Sequence, residues 1–412
     1  MSSRLLSGRP TIYDSLGVRP IINGTGTFTR LGGTLMPPEV IAAMAEAAKH
    51  FVVMEELQVA AGQVIAEVTG AEAGYVTSGA QAALVLAIAA CITGTDPTKM
   101  DRMPHSDGLA NQVIIARVHR NNYDHAIETG GGKLVEVGTA DRVTPADYAA
   151  AITDRTAAIL FLPWNVGGIE LADVVAMARQ HKVPVIVDGS GRLDEPDNLR
   201  AFIRDGADLA VFSGGKFIRG PQASGFAAGR RDLIEAMAWQ HLDMDVTPAV
   251  WGPPAELLNV AAMLFIPRQG IGRGYKAGKE EIVGLITALR LFVKRDHAAE
   301  RTRHEALLHT LIAMLDPTPH LHAEFVAADT LQRGLPLARI RIDEDQLGMD
   351  AYAFTLALKV GTPSIHPLER ELAQGALLFS PFSLTEGDVE WIAARCNEIV
   401  AEQMGRTVIA AR

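Results

Sequence analysis

The sequence of 412 residues is poor in cysteine and contains no long apolar segment. Its two cysteines, Cys91 and Cys396, belong to no metal-binding or redox motif, so we interpret them as small buried hydrophobic residues. The longest apolar stretch, residues 82–92, is too short to cross a bilayer, and residues 1–10 lack the apolar core of a secretory signal. These absences predict a cytoplasmic protein with no membrane partner, and we expect no metal site.

Positive charge is also scarce in this chain. Lysine and arginine together number 38 against 48 aspartate and glutamate residues, which gives a formal net charge of −10. An acidic balance argues against a nucleic-acid-binding surface. No Gly-x-Gly-x-x-Gly follows the first strand with an acid at the required distance, so we exclude a NAD-linked dehydrogenase. Hydrophobic content of 48% with 21% charged residues is typical of a globular enzyme with a large core.

What the chain does contain is a regular alternation of short apolar runs and helical segments between residues 73 and 212. Short runs of Val, Ile and Leu between helices indicate a mostly parallel sheet covered on both faces, which is an α/β fold. We expect an N-terminal arm over residues 1–20, a large domain over residues 21–268 and a smaller α+β domain over residues 269–412. In such folds the active-site residues gather at the carboxyl ends of the strands.

Two of the apolar runs end in residues that can carry chemistry. Val185-Ile-Val-Asp188 ends in an acid, and the run from Asp208 ends in Ser213-Gly-Gly-Lys216. An acid beside a ring nitrogen and a lysine that forms an imine are what a lysine-bound pyridoxal phosphate site needs. We therefore interpret Lys216 as the Schiff-base lysine and Asp188 as the partner of the pyridine nitrogen. The alternatives are a solvated lysine and an acid that caps a turn.

Donors for the cofactor's phosphate and a partner for its ring are predicted as well. Ser78-Gly79-Ala80 follows one strand and precedes a helix, so backbone amides at the helix start can bind a phosphate, although an ordinary serine N-cap looks the same locally. Ser213 is a second candidate phosphate ligand. His119 follows a predicted strand end and is our candidate for stacking on the ring. His125 is its rival, and we expect His125 to face solvent or to pack in its own helix.

The chain resembles fold type I pyridoxal-phosphate-dependent enzymes, and within them the group similar to selenocysteine synthase and D-glucosaminate-6-phosphate ammonia-lyase. This resemblance implies the aspartate aminotransferase-like fold, with a mostly parallel seven-stranded sheet and a small C-terminal domain. It also implies a homodimer or higher homo-oligomer with shared active sites. The matching pieces span most of the chain in the family's order: Ile22-Asn-Gly-Thr-Gly-Thr27, Val76-Thr-Ser-Gly-Ala-Gln81, Lys133-Leu-Val-Glu-Val-Gly138, Val187-Asp-Gly-Ser-Gly191, Phe212-Ser-Gly-Gly-Lys216 with Gly220-Pro-Gln222, and Gly272-Arg-Gly-Tyr-Lys-Ala-Gly-Lys-Glu-Glu281.

The resemblance also implies roles for individual residues. Arg273 and Lys276 fall in a basic loop expected near the cofactor or substrate of a neighbouring subunit, with a solvated interdomain loop as the alternative. Related lyases carry an arginine shortly after a Pro-x-Ile, whereas Pro363-Ser-Ile is followed here by His366 and Arg370. These two are candidate substrate ligands, so either the substrate acid is held differently or the substrate differs. The residues implied to bind the cofactor are Ser78, Gly79, Ala80, His119, Asp188, Ser213 and Lys216, of which Lys216, Asp188 and His119 are implied to be catalytic.

The activity we expect is α,β-elimination from a small hydroxy amino acid or amino sugar acid, with Lys216 as general base. The same apparatus supports other reactions, so an aminotransferase or an amino-acid racemase is the alternative. A non-catalytic pyridoxal-phosphate-binding protein has no need for the full set of Asp188, Ser213 and Lys216. Selenocysteine synthase carries an extra N-terminal domain for its tRNA, and the family match begins almost at once here. With the acidic charge, this predicts no role on tRNA.

Overall fold

The computed structural model of the chain describes residues 11–164, 166–328 and 334–410, with side chains as far as residue 405. The strands are β1 (Ile21–Asn23), β2 (Ala73–Thr77), β3 (Gln112–Ala116), β4 (Lys133–Val137), β5 (Thr156–Phe161), β6 (Val185–Asp188), β7 (Leu209–Ser213), β8 (Gly225–Gly229), β9 (Leu321–Val326), β10 (Leu337–Ile342), β11 (Ser364–His366) and β12 (Ala376–Phe379). The helices are α1 (Pro38–Ala47), α2 (Met54–Thr69), α3 (Ala80–Thr93), α4 (Pro97–Met100), α5 (His125–Thr129), α6 (Pro145–Ala151), α7 (Leu171–His181), α8 (Asn198–Arg204), α9 (Arg231–His241), α10 (Lys279–Lys294), α11 (His297–Leu315), α12 (Glu344–Leu347), α13 (Ala351–Val360) and α14 (Glu386–Ala410).

The larger of two compact units, Leu35–Arg295, is built on a seven-stranded sheet with the order β2-β8-β7-β6-β5-β3-β4. Neighbouring strands are parallel except where β8 runs antiparallel to both β2 and β7. The apolar runs of β3, β5, β6 and β7 are buried because helices cover the sheet. The predicted α/β fold with a mostly parallel sheet is therefore confirmed.

Helix α3 accounts for the longest apolar stretch of the sequence. Nearly every residue from Ala82 to Thr93 is buried in the core of the larger unit, against α9, β8 and the centre of the sheet. An apolar helix without a polar face is what a fully enclosed core position requires. Among the described residues, no helix combines the length and the apolar character that crossing a membrane requires.

The smaller unit combines the described residues up to Thr34 with those from Asp296 onward. Its antiparallel sheet has the order β12-β10-β9, and α11 and α14 pack together beside it around one apolar core. A separate parallel pair joins β1 to β11, in which Asn23 lies opposite His366. This unit is of the α+β type.

These boundaries differ from the predicted division at residues 268 and 269. Helix α10 packs its apolar face against α1 and α2, so residues 269–295 lie in the larger unit. Residues 21–34 lie in the smaller unit because β1 pairs with a strand more than 300 residues further along the chain. Within the predicted arm, residues 1–10 lie outside the described residues, and Ile12–Leu16 form a 3₁₀-helix.

A glutamine side chain completes the outer edge of the sheet at β2. Gln58 of α2 donates from Nε2 to the carbonyl oxygen of Val76 (3.0 Å) and accepts from the Val76 amide at Oε1 (3.1 Å). Both groups are buried, and an edge strand has no neighbouring strand on that side to satisfy them. Gln58 thereby fixes the strand that leads directly into residues 78–80.

We expect Gln58→Leu to lower the free energy of unfolding by about 2–4 kcal/mol, because it leaves two buried backbone groups of Val76 without partners. Gln63→Leu is the matched control, since Gln63 lies on the same helix with its side chain in solvent. Thermal unfolding of the two variants side by side measures the difference. Equal melting temperatures for both would contradict the role given to Gln58.

Candidate active site

Most of the predicted site residues lie at one edge of the seven-stranded sheet. Strands β2, β3, β6 and β7 are parallel in direction, and their carboxyl ends lead into residues 78–80, His119, Asp188 and the Lys216 loop. Neighbouring β6 and β7 are in register, with Asp188 opposite Val211. Parallel strands bring their carboxyl ends to the same edge, which is where ligands bind in such sheets.

The loop that carries Lys216 is tightly folded and glycine-dependent. The Gly214 amide donates to the Ser224 carbonyl (2.9 Å), and the Gly220 amide donates back to the Gly214 carbonyl (2.8 Å). A Cβ at position 215 would lie 2.7 Å from the backbone Cα of Gln222, so this position has no room for a side chain. Lys216 itself is half-buried, and the Arg219 amide donates to its carbonyl oxygen (2.9 Å).

Lys216 approaches the loop that begins at Asp188. Its Nζ lies 3.9 Å from the position that a Cβ on Gly191 would occupy. Asp188 is half-buried at the end of β6, and its Oδ1 accepts a hydrogen bond from the Ser190 amide (3.0 Å). The amine and the loop of the acid therefore face one another, as a site that binds the two ends of a pyridine aldehyde requires.

Residues 78–80 form a cradle that we call the phosphate cup. Gly79 has φ 125°, in the region that favours glycine, and α3 begins at the next residue with no acidic side chain in its first turn. Thr77 Oγ1 donates to the Gly79 carbonyl (2.9 Å), which orients the peptide that follows. A Cβ on Gly79 would meet no atom within 4 Å, so the cradle is open. Free amides at the start of a 14-residue helix fit a phosphate group.

Gly225 joins the phosphate cup to Ser213. It begins β8, and it lies opposite Thr77 of β2 on one side and Ser213 of β7 on the other. A Cβ at position 225 would lie 2.6 Å from the Ala80 nitrogen. The absence of a side chain here lets the phosphate cup lie against the strand that separates it from Ser213. The sequence analysis assigned no role to Gly225 or Thr77, and the signal for Thr77 was its place in the matching piece Val76–Gln81.

His119 is fully buried, which sequence reasoning did not anticipate. Its ring makes edge contacts with Phe161 (5.2 Å between centroids) and Trp164 (6.4 Å). Neither ring nitrogen makes a hydrogen bond of ordinary geometry, and burial lowers the pKa of His119 to about 4. The imidazole has no exposed face in the structure, so its stacking on a cofactor ring stays a prediction. The rival His125 is largely in solvent, 3.8 Å from Glu128.

The two basic residues of the predicted loop lie at the surface of the larger unit. Arg273 belongs to the short 3₁₀-helix Ile271–Tyr275 and forms an ion pair with Asp243 (3.0 Å). Lys276 follows it and is exposed. We call residues 270–276 the basic loop.

The predicted substrate ligands His366 and Arg370 belong to the smaller unit, so their part in the site stays a prediction. His366 Nε2 lies 3.1 Å from Ser364 Oγ, and Arg370 is exposed. Burial lowers the pKa of His366, and the nearby cations Lys359 and Arg30 lower it further. Both of these cations form ion pairs with Glu369, and sequence reasoning overlooked them because they lie far apart in the chain. Within the described ranges, His, Cys, Asp and Glu form no group that could hold a metal ion.

Comparisons with known proteins agree with this architecture. The chain is 33% identical over 398 residues to D-glucosaminate-6-phosphate ammonia lyase of Salmonella typhimurium. The aligned region covers 95% of this chain and 98% of that protein. It is 32% identical over 406 residues to 5'-C-glycyluridine monooxygenase-decarboxylase of a Streptomyces species, and the aligned region covers 95% of this chain and 93% of that protein. A solved structure of D-glucosaminate-6-phosphate ammonia-lyase matches with a TM-score of 0.80 at 31% identity, over 96% of this chain and 99% of that one.

The fold and these relatives define a pyridoxal-phosphate-dependent enzyme of the lyase type. A cysteine desulfurase from Thermococcus onnurineus shares the fold at a TM-score of 0.55 and 16% identity. The family described as SelA, L-seryl-tRNA selenium transferase, matches residues 21–245, more than half of the chain. The chain belongs to this family.

Proposed function

We propose that the protein is a pyridoxal-phosphate-dependent ammonia-lyase that acts by α,β-elimination on a small hydroxy amino acid or amino sugar acid. The observation that carries the proposal is the approach of Lys216 Nζ to Gly191, on the loop that begins at Asp188. The relative of known name with 33% identity acts, by that name, on D-glucosaminate 6-phosphate, which is an amino sugar acid. The sequence similarity and the arrangement of the site are therefore compatible with a substrate of the same class, an amino sugar acid.

The site residues divide the work in this proposal. Lys216 would hold the cofactor through its amine and, as a free amine, would take the proton from the substrate's α-carbon. Asp188 pairs with the ring nitrogen and favours its charged form. The amides of the phosphate cup and the hydroxyl of Ser213 bind the phosphate. Stacking of His119 on the ring requires its buried side chain to turn away from Phe161. The cofactor supplies an electron sink that lowers the cost of removing the α-proton.

The leaving group and the products follow from the substrate's chemistry. The α-proton moves to the Lys216 amine, the bond from the β-carbon to its hydroxyl breaks, and the hydroxide takes a proton from the Lys216 ammonium and leaves as water. The enamine that remains takes up water and yields a keto acid and ammonia. Cationic side chains suit the carboxylate, or a phosphate, of such a substrate, and we assign this part to Arg273, Lys276 and Arg370. His366, whose lowered pKa favours the neutral imidazole, is assigned a hydrogen bond to the same group.

A substrate panel tests the proposal. The purified protein is incubated with D- and L-hydroxy amino acids and with amino sugar acids, each with and without a phosphate group. We expect equal amounts of keto acid and ammonia from at least one of them. Exchange of the amino group with pyruvate or 2-oxoglutarate and no ammonia would indicate an aminotransferase instead. Inversion at the α-carbon alone would indicate a racemase.

A second candidate function rests on the relative that is 32% identical over nearly its full length. Its name describes an oxygen-dependent decarboxylation of a glycyl nucleoside, a different outcome at the same α-carbon. Oxygen uptake and carbon dioxide release with a glycyl-substituted nucleoside separate this candidate from the lyase. We prefer elimination because the relative named as an ammonia lyase is similar in both sequence and solved structure.

We further propose that the enzyme works in the cytoplasm as a homo-oligomer with shared active sites. The larger unit leaves four large apolar side chains in solvent, as expected of a surface that a second subunit covers: Leu35, Phe51, Val250 and Leu264. For the compartment, the supporting observation is that Cys91 and Cys396 are unpaired, which suits a reducing environment. Size-exclusion chromatography with light scattering measures the oligomeric state.

Thr77→Val should weaken binding of pyridoxal phosphate about tenfold, since it removes one hydrogen bond that orients the Gly79–Ala80 peptide. Valine keeps the size of the buried side chain, so the strand itself should remain. Absorbance titration of the cofactor-depleted protein gives the dissociation constant. Thr156→Val, at the start of β5, is the control, and identical constants for both variants would contradict the role of Thr77.

A further inference from the structure

A buried chain of hydrogen bonds links β2 to the basic loop. The Tyr75 hydroxyl lies 2.8 Å from His241 Nδ1, and His241 Nε2 lies 2.9 Å from the carbonyl oxygen of Tyr275. Tyr75 and the imidazole of His241 are buried. A backbone carbonyl only accepts, so Nε2 carries a hydrogen. Burial lowers the pKa of His241, which favours the neutral imidazole, and in that form Nδ1 accepts from the tyrosine hydroxyl.

The backbone of the basic loop lies directly on the end of α9. A Cβ on Gly270 would be 2.5 Å from Gln240 Cα, and a Cβ on Gly272 would be 2.8 Å from the Gln240 carbonyl oxygen. Neither position has room for a side chain, since the atoms it would meet include backbone. The loop is thus pressed against one turn of helix over its first half.

Side chains hold both ends of the same loop. Before it, Gln269 donates to Asp243 Oδ1 (2.7 Å) and accepts from the Met244 amide (3.1 Å). Within it, Arg273 donates to Asp243 Oδ2 (3.0 Å). At its end, the hydrogen bond from His241 fixes the peptide that joins Tyr275 to Lys276. The two cations of the loop therefore project from a backbone with little freedom.

We propose that Tyr75 and His241 are positioning residues that hold the basic loop so that Arg273 and Lys276 bind an anionic group of the substrate or the cofactor. This inference rests on the proposed function. The anionic group is a carboxylate or a phosphate, since both suit paired cations. Two apolar side chains would fill the same buried space without the cost of desolvating a hydroxyl and an imidazole. The polar pair adds a hydrogen bond of defined direction to the Tyr275 carbonyl, immediately before Lys276.

The strand that supplies Tyr75 gives this arrangement a second consequence. Two residues after Tyr75, β2 ends at Thr77, whose hydroxyl orients the phosphate cup. One strand therefore anchors the phosphate cup on its carboxyl side and the basic loop through His241. Displacement of Tyr75 would disturb both of these elements, whereas loss of its hydroxyl alone removes the support of the His241 imidazole and so weakens the hold on the basic loop only.

The test uses Tyr75→Phe and His241→Phe in the holoenzyme, with Tyr148→Phe as control. Tyr148 is another fully buried tyrosine of the larger unit, on α6 and outside the hydrogen-bonded chain. Amide hydrogen exchange is followed in peptides that cover the basic loop and in peptides from β6 and β7. We expect exchange in the loop to be about tenfold faster in both variants and unchanged in the control, with β6 and β7 unaffected.

Kinetic and binding constants then identify the anionic group. An increase of about tenfold in KM, with kcat changed less than about twofold, assigns the loop to the substrate's anion. A similar increase in the dissociation constant of pyridoxal phosphate assigns the loop to the cofactor's phosphate. If His241→Phe fails to fold, Tyr75→Phe carries the test, because it keeps the imidazole and the ring.

Two results would overturn the proposal. One is unchanged exchange of the basic loop in Tyr75→Phe, and the other is faster exchange with both constants at their wild-type values. Failure of the proposed function has a different signature, namely a wild-type protein that binds no pyridoxal phosphate or that releases no keto acid and ammonia from any member of the substrate panel. Unchanged loop exchange in a protein that does bind the cofactor would remove only the positioning role.

Discussion

Replacing Lys216 by alanine is expected to lower turnover by about 10⁴-fold, because one substitution removes both the covalent attachment and the general base. The amine lies beside the loop of Asp188, and the backbone around it depends on glycines rather than on the lysine side chain. The fold should therefore survive the change. Turnover is measured as keto-acid release under saturating substrate.

Borohydride reduction followed by mass spectrometry provides the second readout for Lys216. In the wild type, a peptide that contains Lys216 should carry the reduced cofactor, and in Lys216→Ala no peptide should. Lys182→Ala is the control, since Lys182 is exposed after α7 in the larger unit. A reduced cofactor attached to another lysine in the wild type would refute the assignment of the site.

Asp188→Asn is expected to lower turnover by about 100-fold, the second largest effect. An opposite charge beside a titrating group shifts its pKa by roughly 1–3 units, and about 2 units correspond to about 2.7 kcal/mol or 100-fold. Asparagine keeps the size of the side chain and can still accept from the Ser190 amide, so the loop should keep its shape. The substitution therefore removes only the negative charge beside the ring nitrogen.

Asp188→Glu and Asp173→Asn complete the comparison for the acid. Glutamate keeps the charge and should retain more activity than asparagine, whereas Asp173 is exposed on α7 and its change should have no effect. The cofactor's absorbance spectrum, recorded against pH, reports the ionisation of its ring nitrogen directly. A spectrum that titrates identically in the wild type and in Asp188→Asn would exclude the pairing.

The strand pattern could be predicted because it is local. The predicted alternation of strands and helices begins at residue 73, where β2 begins, and the acid of the run Val185–Asp188 ends β6. Strand β8 was missed, since Gly225-Phe-Ala-Ala-Gly229 is rich in small residues and has weak strand propensity. Its small residues are explained by neighbours that are distant in sequence, such as the Asp208 carbonyl oxygen, which would be 2.0 Å from a Cβ on Gly229.

The candidate site shows the same division between local and distant signals. Lys216, Asp188 and the phosphate cup could be proposed from the sequence because each stands beside a recognisable strand end. The burial of His119 against Phe161 could not be predicted, because this contact joins residues that lie at the ends of two different strands. The hydrogen bonds of His241 to Tyr75 and to Tyr275 likewise join segments up to 166 residues apart, and a single histidine in a helix gives no sign of them.

The sequence by itself determined the class of this protein, since apolar runs that end in an acid and in a lysine imply both a parallel sheet and the chemistry at its edge. Only the tertiary structure decided where the units divide, which glycines allow two backbone segments to approach closely, and which contacts hold the basic loop. The physical reason is that strand and turn signals come from neighbours in the chain. Packing and buried hydrogen bonds depend on partners that meet only after the chain has folded.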